Sequence, residues 1–285
     1  MPNTVSKDGT VIAFDKIGSG PPVILVDGAL CYRGLGESAQ LASLLAPRFT
    51  VLTYDRRGRG QSADTQPYAV EREVEDLAAL LREAGGTAFL WGMSSGAVLA
   101  LEAAKCLSGV RKLALYEAPL IVDGSRPTTE NDWAHIEEAI AKDRRSDALK
   151  IFLRSVGLPR LLVAVMPLIP FWRKLTAIAH TLLYDGAIVR EFQRGKPLPA
   201  DKWESVTVPV LVMDGGKSPE WMRLGNKALA DALPEAHYQT LPGQTHMLKP
   251  KAHAPALVAF FEQSPDELSC EEVASVISKR NYQGG

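Results

Sequence analysis

The chain has 285 residues, enough for one large domain or two small ones, and its 46% hydrophobic and 23% charged residues are those of a folded globular protein. Lys and Arg total 32 against 33 Asp and Glu, so no overall basic field exists to draw it to nucleic acid or an anionic membrane. Three widely spaced cysteines, Cys31, Cys106 and Cys270, make neither a disulfide framework nor a metal-ligand cluster.

In chain order, Val5 to Ile17 predicts two short strands around Asp8-Gly9, a dipeptide suited to a tight hairpin. Val23 to Val26, Phe49 to Tyr54 and Ala88 to Trp91 are continuous apolar runs, as expected of strands covered on both faces. Helical patterns at Glu37 to Leu45, Glu71 to Glu83 and Ala97 to Leu107 alternate with them, and Val74, Leu77, Leu80 and Leu81 form an apolar side of the second. Leu113 to Tyr116, Val208 to Met213 and Tyr238 to Leu241 supply later strands, and a helix follows from about Pro255 to Glu262. The expected fold class is α/β, with a mostly parallel central sheet and helices on both faces.

From about Leu120 to Glu204 the pattern changes to helices alone, at Glu130 to Lys142, Asp147 to Ser155, Leu161 to Val165 and Phe171 to Leu183. The expected division is a core of 1–119 with 205–264, a helical cap of 120–204, and a tail of 265–285 that could form a short helix capped by Ser264. The start of the chain lacks the features of a signal peptide. The apolar stretch Leu161 to Trp172 contains Pro167 and Pro170 and is shorter than the roughly 20 residues of a spanning helix. A cytoplasmic protein without a membrane span, acting on a small molecule without cofactor or metal, is the expectation.

The chemistry concentrates at Gly92-Met93-Ser94-Ser95-Gly96, a Gly-x-Ser-x-Gly motif between an apolar strand and an Ala-rich helix. There the glycines permit a crowded turn that lifts the Ser94 hydroxyl above the sheet edge, and the Ser95 N–H faces a developing oxyanion.

With this motif, the chain resembles the α/β-hydrolase superfamily over about residues 4 to 264. The other matching pieces are Val26-Asp27-Gly28-Ala29, Tyr54-Asp55-Arg56-Arg57-Gly58-Arg59-Gly60-Gln61-Ser62 and Leu241-Pro242-Gly243-Gln244-Thr245-His246. The resemblance implies Ser94 as nucleophile, His246 as general base, and the N–H groups of Ala29 and Ser95 as oxyanion donors. His135, His180, His237 and His253 fit the family order less well. Ser218 stands where the family commonly has its acid. Glu117, at the end of the strand after the elbow helix, is the favoured carboxylate, as in some members; Asp214 or a site without a true acid are the alternatives. Asp27 replaces the family's usual His before Gly, and it is expected to pair with Arg56 or Arg57, with a role as a proton-handling group as the alternative. Cys31 is expected to be a small wall residue, and the Arg56-Arg57-Gly58-Arg59 cluster to make structural ion pairs.

The resulting expectation is a serine hydrolase for an ester, lactone or related acyl bond of a medium-sized apolar molecule, with Leu30, Phe171 and Trp172 as substrate contacts. A lyase, isomerase or cyclase on the same fold, or a ligand-binding receptor, are the other readings. Substrate identity, pathway and oligomeric state are not encoded in any motif.

Overall fold

The computed structural model describes residues 2–127, 129–199 and 201–263. At the first turn the Asp8 carboxylate accepts the Thr10 N–H at 3.0 Å and Gly9 adopts φ 87°, so β1 (Asn3–Val5) and β2 (Val11–Ile17) pair antiparallel. β2 then pairs antiparallel with β4 (Thr50–Tyr54). β4, β3 (Pro22–Val26), β5 (Ala88–Met93), β6 (Val110–Tyr116), β7 (Val210–Gly215) and β8 (Ala236–Leu241) run parallel, in that spatial order. The chain is therefore an α/β protein with an eight-stranded, mostly parallel sheet.

The apolar runs are continuous because each strand supplies both faces. Val23 and Leu25 pack with Leu41, Leu45, Leu257, Phe260 and Phe261, from α1 (Ser38–Leu45) and α10 (Pro250–Glu262). Ile24 and Val26 point the other way, toward Leu77, Leu80, Val98 and Leu101 of α2 (Val70–Glu83) and α3 (Ser95–Cys106). Fully burying one such side chain contributes roughly 1.5–3 kcal/mol, which makes the two-sided sheet the main source of cohesion.

Among the described residues, five α-helices lie between β6 and β7: α4 (Glu130–Ala141), α5 (Arg145–Ser155), α6 (Arg160–Val165), α7 (Phe171–Ile178) and α8 (Leu182–Val189). The helix expected over Phe171 to Leu183 is broken into α7 and α8 by a 3-10 turn at Ala179–Thr181. Thr181 is buried at this break, and its hydroxyl donates to the Ile178 carbonyl at 2.8 Å. α8 packs against α2 and α3, tying the inserted helices to the core.

α9 (Glu220–Ala232) has no counterpart in the sequence reading. Its buried stripe includes Gly225 and Asn226, which weaken the apolar period. Asn226 faces inward because its amide bonds both the N–H and the carbonyl of Ala118. α10 begins at Pro250 rather than Pro255, with Pro250 in the first turn, where a missing N–H costs nothing. The expected tail helix lies outside the described residues.

Among the described residues no single helix is long and apolar enough to cross a membrane. The segments Arg160–Leu168 and Phe171–Gln193 pass the same test only together, bent by 101°.

Candidate active site

Ser94 occupies the junction of β5 and α3 with φ 57° and ψ −128°, a conformation that costs a non-glycine residue about 1–3 kcal/mol. Neighbouring backbone holds it there: the Ser94 N–H donates to the Tyr116 carbonyl at 2.9 Å, and its carbonyl accepts the Ala97 N–H at 2.9 Å. A Cβ added to Gly96 would stand 2.3 Å from the Val26 carbonyl oxygen, and one on Gly28 would stand 2.9 Å from the Ser94 Cβ. Both glycines thus serve close backbone approach, one of α3 to β3 and one of the loop after β3 to the serine.

His246 lies in the loop after β8. That loop is tied down by the Tyr116 hydroxyl, which donates to the Thr245 carbonyl at 2.6 Å, and by the Lys217 N–H, which donates to the Gln244 carbonyl at 2.8 Å. Glu117, directly after β6, is fully buried with φ 48°, and its Oε2 lies 2.7 Å from His246 Nδ1. Its Oε1 accepts the Gly215 N–H at 2.8 Å and the Ser218 hydroxyl. Burial works to raise the Glu117 carboxyl, but the bonds from His246 and Ser218, the His246 charge and the Gly215 N–H together hold it below the usual glutamate range.

Ser218, at the position where the family commonly has its acid, thus donates its hydroxyl to Glu117 of the neighbouring strand. Asp214 is also buried, but its carboxylate accepts the Tyr238 hydroxyl instead of meeting His246. The structure brings Glu117 and His246 together, while among the described residues no hydrogen bond joins Ser94 to His246. With Nδ1 engaged, Nε2 is the ring nitrogen left to face a reacting group.

The loop after β3 departs from expectation at Asp27. Its carboxylate accepts the Ser38 hydroxyl, and neither Arg56 nor Arg57 pairs with it. Both guanidinium groups are already taken. Arg56 bonds Glu73 twice at 2.7 Å and Asp185 at 2.8 Å, and meets only the backbone carbonyl of Asp27, at 3.3 Å. Arg57 bonds Asp76 and Asp8. Burial consequently pushes the Asp27 carboxyl up to about 6, with the Ser38 bond and the charges of Arg59 and Arg56 pulling against it. The arginine cluster does make buried ion pairs, including Arg59 with Asp185 at 2.7 Å.

Of the remaining expected residues, Ala29 is half-buried in the same loop and Ser95 is buried at the start of α3. Leu30 has φ 61° and packs into the core. Burial raises the Cys31 thiol to about 12, which leaves it a poor nucleophile. Trp172 is buried with its indole N–H on the Ser146 hydroxyl at 3.1 Å, whereas Phe171 is exposed on the other side of α7. Neither aromatic makes a hydrogen bond or ring contact with Ser94, Glu117 or His246. Among the other histidines, His180 pairs with Asp64 at 3.2 Å and His253 is buried edge-on against the Tyr116 ring, 4.3 Å between centroids. The sequence reading passed over Asp185, which lies in the helical segment and reaches the core through Arg56, Arg59 and Ser95. A lone acid in a run free of other acids from Gly157 to Tyr184 was the available signal.

The family model of the alpha/beta hydrolase family matches residues 18–266. The structure is similar to that of an alpha/beta hydrolase from Sphaerobacter thermophilus, with 50% identity, a TM-score of 0.83, and coverage of 91% of this chain and 100% of that one. It also resembles the esterase EaEST of Exiguobacterium antarcticum in fold, at 22% identity and a TM-score of 0.70, covering 92% of this chain and 100% of that one. An uncharacterized hydrolase, YraK of Bacillus subtilis, is 29% identical over 160 residues, which are 53% of this chain and 56% of YraK; the match spans little more than half of that relative. The matched residues 18–266 span the sheet from β3 to β8 and the helices between its strands, and the chain belongs to the alpha/beta hydrolase family.

Proposed function

We propose that the protein is a serine hydrolase that cleaves an ester, lactone or related acyl bond of a medium-sized apolar molecule through an acyl-enzyme. The observation that carries this reading is the 2.7 Å contact between the buried Glu117 carboxylate and His246 Nδ1, on a chain that also presents Ser94 in a strained turn. A buried anion on Nδ1 fixes the tautomer with Nε2 available as base and stabilises the imidazolium once formed.

In this reading Ser94 Oγ attacks the acyl carbon while His246 Nε2 takes the hydroxyl proton. Negative charge develops on the acyl oxygen, which accepts the N–H groups of Ala29 and Ser95. The first N–H groups of a helix have no intrahelical acceptor, so Ser95 at the start of α3 brings an available donor and the positive end of the helix dipole. Loss of one such donor typically costs 10²–10³ in rate. Collapse of the adduct expels the alcohol, which leaves with the proton from His246. Water, deprotonated by His246, then attacks the acyl-Ser94 ester, and the acid is released with Ser94 reprotonated. The inserted helices act as a cap over this site, and their apolar content, with Leu30 below, favours an apolar acyl or alcohol group.

The test is labelling with a fluorophosphonate probe and turnover of p-nitrophenyl esters of increasing chain length. Wild-type protein is expected to label at Ser94 and hydrolyse the esters, and Ser94→Ala to lose both, with kcat down by about 10⁶ at unchanged folding. Undiminished turnover by Ser94→Ala overturns the acyl-enzyme reading.

A further inference from the structure

The hydrogen bonds around Asp185 end on groups beside the two N–H donors just assigned to the oxyanion: the Gly28 carbonyl, next to Ala29, and the Ser95 hydroxyl. Asp185 sits on α8, among the inserted helices, and is 1% exposed. Its Oδ1 accepts the Ser95 hydroxyl at 2.7 Å and Arg56 Nη1 at 2.8 Å; its Oδ2 accepts Arg59 Nη2 at 2.7 Å. The other terminal nitrogen of Arg59 donates to the Gly28 carbonyl at 2.7 Å and the Cys31 carbonyl at 3.4 Å, while its Nε donates to the Thr181 hydroxyl at 3.1 Å. Arg56 adds a bond to the Asp27 carbonyl at 3.3 Å.

The geometry of the peptide unit gives this arrangement its consequence. The Gly28–Ala29 peptide is trans, with its C=O and N–H on opposite sides. A guanidinium holding the Gly28 carbonyl therefore turns the Ala29 N–H away from Arg59. Gly28 approaches Ser94 so closely that a side chain would collide with it, and among the described residues no acceptor takes the Ala29 N–H. The second donor belongs to Ser95, whose side chain is fastened to the same carboxylate. Two arginines, Asp185 and Glu73 form a buried, charge-balanced set. Burying such ion pairs is a poor source of stability compared with apolar packing, but a fully bonded network holds its members in one arrangement.

We infer that Asp185 is a positioning residue for the oxyanion donors: through Arg59 it holds the Gly28 carbonyl so that the Ala29 N–H faces the acyl oxygen, and through the Ser95 hydroxyl it fixes the second donor. The inference rests on the serine-hydrolase reading and deepens it, because the chemistry then depends on a carboxylate carried by the inserted helices. Asp185 touches no reacting atom. Its effect must appear in transition-state binding and not in ground-state binding.

The experiment compares wild type with Asp185→Asn and Ser95→Ala, after thermal melting has shown each to be folded. Asp185→Asn keeps the size of the side chain but turns an amide NH₂ toward a donor. Its kcat on a p-nitrophenyl ester is expected to fall about 10- to 100-fold with KM within about twofold, since misdirected donors still bind weakly. Affinity for a trifluoromethyl ketone, whose Ser94 adduct carries an oxyanion, should fall by the same factor, while that for the corresponding secondary alcohol stays constant. Ser95→Ala removes one bond to Asp185 without disturbing Arg59 and should show the same pattern at about threefold. Equal losses for ketone and alcohol, or wild-type kcat in folded Asp185→Asn, overturn the inference. Fluorophosphonate labelling of wild type separates this from failure of the parent reading. If wild-type Ser94 neither labels nor turns over esters, the hydrolase reading fails; the Ala29 amide resonance of ¹⁵N-labelled protein then decides positioning, supported by a shift in Asp185→Asn and overturned by its constancy. Should Asp185→Asn not fold, Ser95→Ala decides alone by the same ratio.

Discussion

Two buried carboxylates border the candidate site, one at the end of β6 and one in the loop after β3, and their surroundings drive them in opposite directions. Burial raises both, for Glu117 is 0% and Asp27 6% exposed. Glu117 meets three partners, namely His246, the Gly215 N–H and the Ser218 hydroxyl, and is held below the usual range. Asp27 meets the Ser38 hydroxyl, with arginine charges nearby but committed elsewhere, and rises to about 6. Both are shielded from solvent; desolvation prevails at Asp27, whereas at Glu117 the larger set of donors outweighs it. The carboxylate that meets His246 is the one provided with more donors.

The sharpest way to break this comparison is Glu117→Gln, which preserves shape and removes the anion. Single-turnover acylation by an activated ester is expected to fall about 10³–10⁴-fold with substrate binding nearly unchanged. Asp214→Asn should leave acylation within a few-fold, because Asp214 bonds Tyr238 and not His246. Adding Ser218→Asp to Glu117→Gln should recover part of the rate, since it restores a carboxylate beside the same histidine. Near-normal acylation by folded Glu117→Gln would dissolve the distinction between the two carboxylates.

On the other side, Asp27→Asn is expected to stabilise the protein at high pH. Between its ordinary value of 3.8 and about 6, Asp27 keeps its proton in the folded chain and loses it in the unfolded chain. Folding stability therefore falls as pH rises through this window, by about 3 kcal/mol in all. Urea denaturation should show Asp27→Asn gaining most of that amount over wild type at pH 8 and almost nothing near pH 4. A pH-independent difference would mean that Asp27 is not held by burial as described.

A smaller effect than that of Glu117→Gln is expected from Ser218→Ala, which deletes one hydrogen bond to a charged group, worth about 1.5 kcal/mol. Acylation should slow about tenfold. Because the lowered Glu117 carboxyl contributes stability above its ordinary value of 4.5 and loses that contribution as pH falls through the folded value, Ser218→Ala should also unfold at a higher pH during acid titration. An unchanged acid midpoint would show that Ser218 does not support Glu117.

The local signals in the chain were sufficient for much of this molecule. Continuous apolar runs determined the central strands β3, β4 and β5, because a strand covered on both faces has no polar side to display. The Gly-Met-Ser-Ser-Gly turn determined the nucleophile candidate, because close backbone approach excludes a side chain at Gly96. The family resemblance, applied to the order of motifs along the chain, nominated His246 and favoured Glu117 over Asp214. What the sequence alone did not contain was the assignment of partners. Asp27 and Ser218 lie 191 positions apart in the chain, with Arg56, Arg57 and Asp185 between them, and which buried charge meets which donor is a property of packing. Tertiary structure gave Arg56 to Glu73 and Asp185, left Asp27 to Ser38, turned Ser218 from an apparent substitute into a donor for Glu117, and placed Asn226 inside α9 to hold Ala118. Hydrophobic periodicity is local and survives in one dimension; the pairing of buried polar groups depends on distances that exist only once the sheet and the inserted helices have come together.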